Sequence, residues 1–168
     1  MPSAELDRFI VRSSVVLLLS STINVRTKLI MKSHRELSNE EFLKQFRSCE
    51  MDESLFNHEA HLRLAWINIR QDGIERAVES IPNQIMAYVD HLGVRSIYNH
   101  TLTVAAVKVI YHFMLKSDSD DFTAFMDEFP RLTSNFKQLI EAHYSADIYT
   151  NDQAKAQFVE PNLLPFDI

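Results

Sequence analysis

Two histidines lie three residues apart in the segment FNHEAHLRLAWINIR, residues 56–70. The segment has the apolar spacing of an amphipathic helix, and His58 falls on the same stripe as Leu62 and Trp66. Residues three apart on a helix lie about 60° apart around its axis, so His61 is expected beside His58. Two neutral imidazoles at this spacing are half of a common transition-metal site, which a third side chain must complete.

The third ligand is expected from the YNHT segment, which begins the next long apolar stretch. We therefore predict that His58, His61 and His100 bind a divalent transition metal. Tyr98 would donate a proton or orient a substrate, and Arg63 would neutralise an anionic ligand in the same cavity. The competing interpretation is structural, because H-x-x-H often arises by chance and buried histidines usually bind a carbonyl or carboxylate. The zincin motif H-E-x-x-H is not present, since its histidines are four residues apart.

The composition excludes several classes of protein. Gly73 and Gly93 are the only glycines, so neither a G-x-G-x-x-G loop nor a P-loop exists. The net charge of −6, without a Lys/Arg cluster, disfavours nucleic acid. Cys49 is the only cysteine, which excludes an internal disulfide and fits a reducing cytoplasm. Of the other histidines, His34 and His91 are expected to face solvent.

The elements that must position these residues are helices, because strand-like alternation is scarce. Ser38 and Glu41 form an S-x-x-E capping box, and the two glycines are typical helix stops. Pro82 predicts a kink or a split near Ser80. The predicted helices cover residues 38–48, 53–71, 74–92, 98–116, 122–129, 133–144 and 151–159.

The helix at 98–116 is apolar on nearly every side and has Asn99 as its candidate N-cap. It is therefore expected to be the buried centre of a compact, all-α, multi-helix domain. The tail EPNLLPFDI contains two prolines that forbid helix and large apolar side chains that need cover. We expect it to lie extended across this domain.

Residues 1–30 lack a sustained helical stripe, although they contain the apolar run VVLLL. The run is too short for a membrane span, and acidic residues precede it, which argues against a secretory signal. A natural start is predicted at Met31, directly before the capping box. We expect a poorly packed extension at 1–30 and a single helical domain at 31–168.

Three motifs, HEAHLRLAW, YNHTLT and EPNLLPFD, resemble a family of small, soluble, all-helical bacterial proteins of uncharacterised activity. The resemblance runs from Met31 to the end of the chain. It implies a pocket shared by the three motifs, with the tail as its wall or lid, and no particular reaction.

Two functions from different classes remain. The first is a cytoplasmic protein with a His-lined pocket for a small-molecule ligand, which would bind a metal and act as an enzyme if the three imidazoles converge. The alternative is a non-catalytic helical module with structural histidines, whose apolar tail serves an interaction or a homodimer. Neither involves nucleic acid or a membrane.

Overall fold

The computed structural model describes residues 33–145 and 147–166, and helix is the regular secondary structure found there. The predicted all-α fold is confirmed. The extension at 1–30 and the start at Met31 lie outside these residues. Within the described ranges, three short 3₁₀ helices span His34–Glu36 (η1), Glu53–Leu55 (η2) and Arg95–Ile97 (η3). The α-helices are α1 Asn39–Arg47, α2 His58–His91, α3 His100–Met114, α4 Phe122–Glu128, α5 Arg131–Ser134, α6 Phe136–Glu141 and α7 Asp152–Ala156.

Helix α2 is a hairpin rather than a straight rod. Gly73 has φ 80° and ψ 167°, a backbone conformation that L side chains rarely adopt. The Asn68 and Gln84 side chains are 3.1 Å apart, whereas sixteen residues of straight helix would separate them by about 24 Å. The chain therefore reverses at Gly73. This divides α2 into a first arm, residues 58–72, and a second arm, residues 74–91, as the glycine stop signal predicts.

Several predicted helix boundaries are wrong. The helix predicted from residue 53 begins at His58, after the separate 3₁₀ turn Glu53–Leu55, and the last helix ends at Ala156 rather than at residue 159. The second arm continues through Pro82 with helical backbone angles, so the predicted split near Ser80 does not occur, and the break lies at Gly73. The helix predicted at 133–144 is instead interrupted at Asn135, whose φ of −135° is not helical, which leaves the short helices α5 and α6.

The core lies between the two arms of α2 and α3. The first arm is buried at every position from 62 to 69, and α3 is buried along most of its length. The buried centre of the domain, which the sequence assigns to α3, is therefore formed by α3 together with the first arm of α2. Asn99 caps α3, because its Oδ1 accepts from the Leu102 N–H at 2.9 Å. Its Nδ2 donates to the Ile148 carbonyl at 2.8 Å, which ties the same residue to the C-terminal part of the chain.

The C-terminal tail follows α7 without helix and is held by side chains from α3 and from the turn that follows α6. Thr101 Oγ1 donates to the Gln157 carbonyl at 2.8 Å and accepts from the Val159 N–H at 3.0 Å. The His143 ring stacks on Phe166, with centroids 4.0 Å apart. The tail therefore lies across one face of the domain as far as Phe166. None of the helices within the described ranges is long and apolar enough to cross a bilayer.

Candidate functional site

An apolar cavity of about 60 Å³ lies between the two arms of α2, α3 and α6. The first arm contributes both histidines of the H-x-x-H motif to its wall. Most of the remaining wall is aliphatic, and Phe136 of α6 is its aromatic member. Ala106 and His61 are only partly buried, so the cavity reaches the surface. The wall consists of His58, His61, Leu62, Ala65, Ile81, Ile85, Leu102, Thr103, Ala106, Val107 and Phe136.

His58 is the first residue of α2, and contacts with residues outside this helix fix the orientation of its ring. Its Nε2 lies 2.9 Å from the Leu132 carbonyl oxygen, and the ring packs edge-on against Phe136. Because a carbonyl only accepts, Nε2 must carry the proton, and Nδ1 of the neutral ring is then an acceptor. Burial lowers the pKa of His58, although the bond to Leu132 opposes this. The ring is therefore neutral near pH 7.

His61 is fixed in the opposite tautomer. Its Nδ1 lies 2.8 Å from the Asn57 carbonyl oxygen, so Nδ1 donates. The ring lies on Phe56, with centroids 4.0 Å apart. Burial lowers the pKa of His61 to about 4, so this imidazole is also neutral at physiological pH.

The wall thus has little polarity and no formal charge. Its polar side chains are the two neutral imidazoles and Thr103, whose Oγ1 already donates to the Asn99 carbonyl at 2.8 Å. A cavity of this kind favours an apolar molecule, since a charged group would lose its hydration without gaining a counterion.

His100 and Tyr98 do not line this cavity, although the sequence places them in the predicted site. They pair with each other, with Tyr98 Oη 3.0 Å from His100 Nδ1. Burial raises the pKa of Tyr98 to about 12, which makes it a weak acid. The structure therefore does not place His100 in the wall of the cavity that His58 and His61 line, and its role as a metal ligand stays a prediction.

Arg63 faces the opposite side of the first arm. Two residues along a helix rotate a side chain by about 200°, so Arg63 cannot share a face with His61. Its guanidinium donates to the carbonyls of His34 and Leu37 and to Asn39 Oδ1. Arg63 therefore does not line the cavity of His58 and His61, in which the sequence places it.

Across residues 33–145 and 147–166, no three or more His, Cys, Asp or Glu side chains are grouped so that they could hold a metal ion. Within this part of the chain the cavity offers two imidazoles and no third ligand. The divalent metal stays a prediction from the sequence.

His34 is the buried histidine that the sequence does not identify. It is 1% exposed, against the expectation that it faces solvent, and it packs edge-on against Phe42 and Phe122. Its Nε2 lies 3.5 Å from Glu59, while no hydrogen-bond partner for Nδ1 is found among the described residues. The polar segment around it gives no signal of this burial.

As far as Phe166, where the description of the tail ends, the tail does not line the cavity. It binds the α3 face that carries Thr101 and Lys108, whereas Leu102, Thr103, Ala106 and Val107 of α3 line the cavity. Comparison with models of protein families, with curated proteins and with solved structures finds no match.

Proposed function

We propose that this protein binds a small, neutral molecule with an apolar body and a hydroxyl group in the cavity between α2, α3 and α6. The observation that carries the proposal is the pairing of an apolar wall with two imidazoles whose tautomers are fixed by backbone carbonyls.

The imidazoles determine the chemistry of the polar end. Since Nε2 of His58 donates to Leu132, the ring nitrogen that remains for a ligand is Nδ1, which accepts a hydrogen bond. An alcohol or phenol supplies the required donor. A carboxylate has no proton to give at neutral pH, and an ammonium group would bring a charge into an apolar wall.

The apolar wall would supply most of the affinity. The cavity of about 60 Å³ holds about two or three methylene-sized groups, which contribute about 2 kcal/mol at ~0.8 kcal/mol each, and the rest of a longer chain would lie in its open mouth. Small fragments of this kind bind weakly, so discrimination between head groups is more informative than affinity.

The test is a calorimetric titration with 1-hexanol, hexanoate and hexylammonium at pH 7. The three molecules share one apolar chain and differ in the head group. We expect saturable binding of 1-hexanol and at least about tenfold weaker binding of both ions, because each ion loses hydration without a counterion. Equal or tighter binding of either ion, or no saturable binding of the alcohol, would overturn the proposal.

A homodimer is the second candidate, and two adjacent tail residues favour it. Leu163 and Leu164 are 55% and 58% exposed, and neighbouring apolar side chains at a surface often mark an interface. The test is sedimentation of the native chain and of the double variant Leu163→Ser, Leu164→Ser. Leu115→Ser is the matched control, because Leu115 is 59% exposed at the end of α3. A native monomer, or a dimer that survives the double substitution, would exclude this interface.

A further inference from the structure

A second, polar cleft of about 270 Å³ lies on the other side of the first arm. It is formed where the start of α1, the first arm of α2 and the start of α4 meet. Arg63 lies at its buried end, and Arg35 and Asp121 are its other charged residues. Ser38, Asn39 and Thr123 contribute polar side chains. The cleft is therefore unlike the apolar cavity in both volume and chemistry.

Arg63 is a buried cation whose hydrogen-bond acceptors are all neutral. It is 6% exposed, and its guanidinium has five N–H groups. Nε donates to Asn39 Oδ1, Nη1 to the His34 carbonyl, and Nη2 to the Leu37 carbonyl and to Asn39 Oδ1. Four N–H groups are thus engaged by two backbone carbonyls and one amide, which leaves one N–H on Nη1.

The nearby carboxylates do not neutralise this cation directly. No carboxylate of the described residues lies within ion-pair distance of Arg63. Glu59 instead pairs with Arg35, whose Nε lies 2.5 Å from Glu59 Oε1. Asp121 caps α4, with Oδ1 accepting from the Ala124 N–H at 2.9 Å. Burial lowers the pKa of Arg63, while the charges of Asp121 and Glu59 raise it. A buried charge with only neutral acceptors is costly, and a bound anion would offset that cost.

We propose that the polar cleft binds an oxyanionic group, a phosphate or a carboxylate, through the Arg63 guanidinium. The remaining Nη1 N–H would donate to an anion oxygen. The hydroxyls of Ser38 and Thr123 and the amide of Asn39 offer further donors around the same space. This site is independent of the apolar cavity, because the two share no lining residue.

Asp121 allows a test by gain of affinity. Substitution of Arg63 itself would also release η1 and the start of α1, so a loss of binding there would be ambiguous. Asp121→Asn removes the carboxylate from the cleft and retains an N-cap of equal quality. A like charge that lines the same cleft, in partly screened surroundings, corresponds to a several-fold effect on affinity. We expect Asp121→Asn to bind the anion at least about threefold more tightly.

The experiment follows backbone amide shifts while phosphate, acetate or chloride is added at constant ionic strength. Saturable shifts at Ser38, Asn39 and Thr123 with phosphate or acetate, and not with chloride, are expected. Whichever of phosphate and acetate binds more tightly identifies the anionic group that the cleft prefers. Asp90→Asn is the matched control, since it changes the net charge equally and does not line the cleft.

Two results would overturn the proposal. The first is the absence of saturable shifts at the cleft with either oxyanion. The second is an equal gain in affinity for Asp121→Asn and Asp90→Asn, which would show a general charge effect. Arg35→Gln, with Arg95→Gln as its control, should weaken binding, because Arg35 lines the cleft and Arg95 does not.

Discussion

Replacement of Ala106 by leucine should stabilise the protein, because Ala106 borders unfilled space in the apolar cavity. Leucine adds three carbon atoms, which contribute about 2.4 kcal/mol if fully buried at ~0.8 kcal/mol each. Ala106 is only partly buried, so we expect about half of this burial free energy from the three added carbon atoms. The lower helix propensity of leucine subtracts roughly 0.2 kcal/mol. The expected gain in the free energy of unfolding is therefore about 1 kcal/mol.

Ala105 is the matched control, one residue earlier on the same helix. It is fully buried and does not line the cavity. The same extra atoms have no space there, and overpacking of a filled core costs about 1–3 kcal/mol. Ala106→Leu and Ala105→Leu should thus change stability in opposite directions.

The assay is urea unfolding of the native chain and both variants, with the slope of the transition compared first. Ala106→Leu should raise the midpoint and abolish the binding of 1-hexanol, whereas Ala105→Leu should lower the midpoint. If both substitutions destabilise the protein equally, the space beside Ala106 does not exist in solution and the reasoning is refuted.

The remaining predictions concern the helix cap, the tail, the histidines and metal. Asn99→Ala should lower the free energy of unfolding by about 2–3 kcal/mol, because it removes a helix cap and a buried hydrogen bond together. Urea unfolding measures this loss, and a loss below ~1 kcal/mol would contradict the prediction. Thr101→Val should lower the free energy of unfolding by about 1–2 kcal/mol, because the Gln157 carbonyl and the Val159 N–H lose the hydroxyl that both of them bind. The tail should then be cleaved faster by a protease, and unchanged proteolysis would show that Thr101 does not hold the tail. The pKa of His61 is about 4 in the folded chain, below the ordinary value of 6.5, so the unfolded chain binds more protons between these two pH values. The free energy of unfolding should therefore fall as the pH is lowered from about 6.5 towards 4. His61→Gln should make this pH dependence shallower in thermal denaturation, and an unchanged pH dependence would refute the assignment. Zinc or nickel should raise the melting temperature, reversibly with EDTA, if the divalent metal predicted from the sequence binds His58 and His61; an unchanged melting temperature would contradict that prediction.

Local signals in the sequence predicted most of the helical fold. Asn99 caps α3 as predicted, and Ser38 Oγ accepts from the Glu41 N–H as half of the expected capping box. Gly73 closes the first arm because its backbone adopts the predicted left-handed φ. Each of these signals depends on residues within one or two turns of one another, so the sequence is sufficient to identify them.

The candidate sites depend on contacts between distant segments, and there the sequence is less informative. His58 and His61 share a cavity, as their helical spacing indicates. The orientation of His58 depends on a carbonyl 74 residues away, however, and no local pattern predicts it. The 200° rotation between His61 and Arg63 was available from helix geometry and places Arg63 on the other face. The polar cleft joins residues near 37, 63 and 122, which no sequence motif connects.

The central claim is that His58 accepts a hydrogen bond from a neutral ligand inside the apolar cavity. Its most direct test is the nitrogen-15 spectrum of the histidine rings during a titration with 1-hexanol. The structure predicts a His58 ring protonated on Nε2, whose Nδ1 resonance moves saturably as the alcohol binds. A ring protonated on Nδ1, or an Nδ1 resonance that does not respond to the alcohol, would contradict the claim.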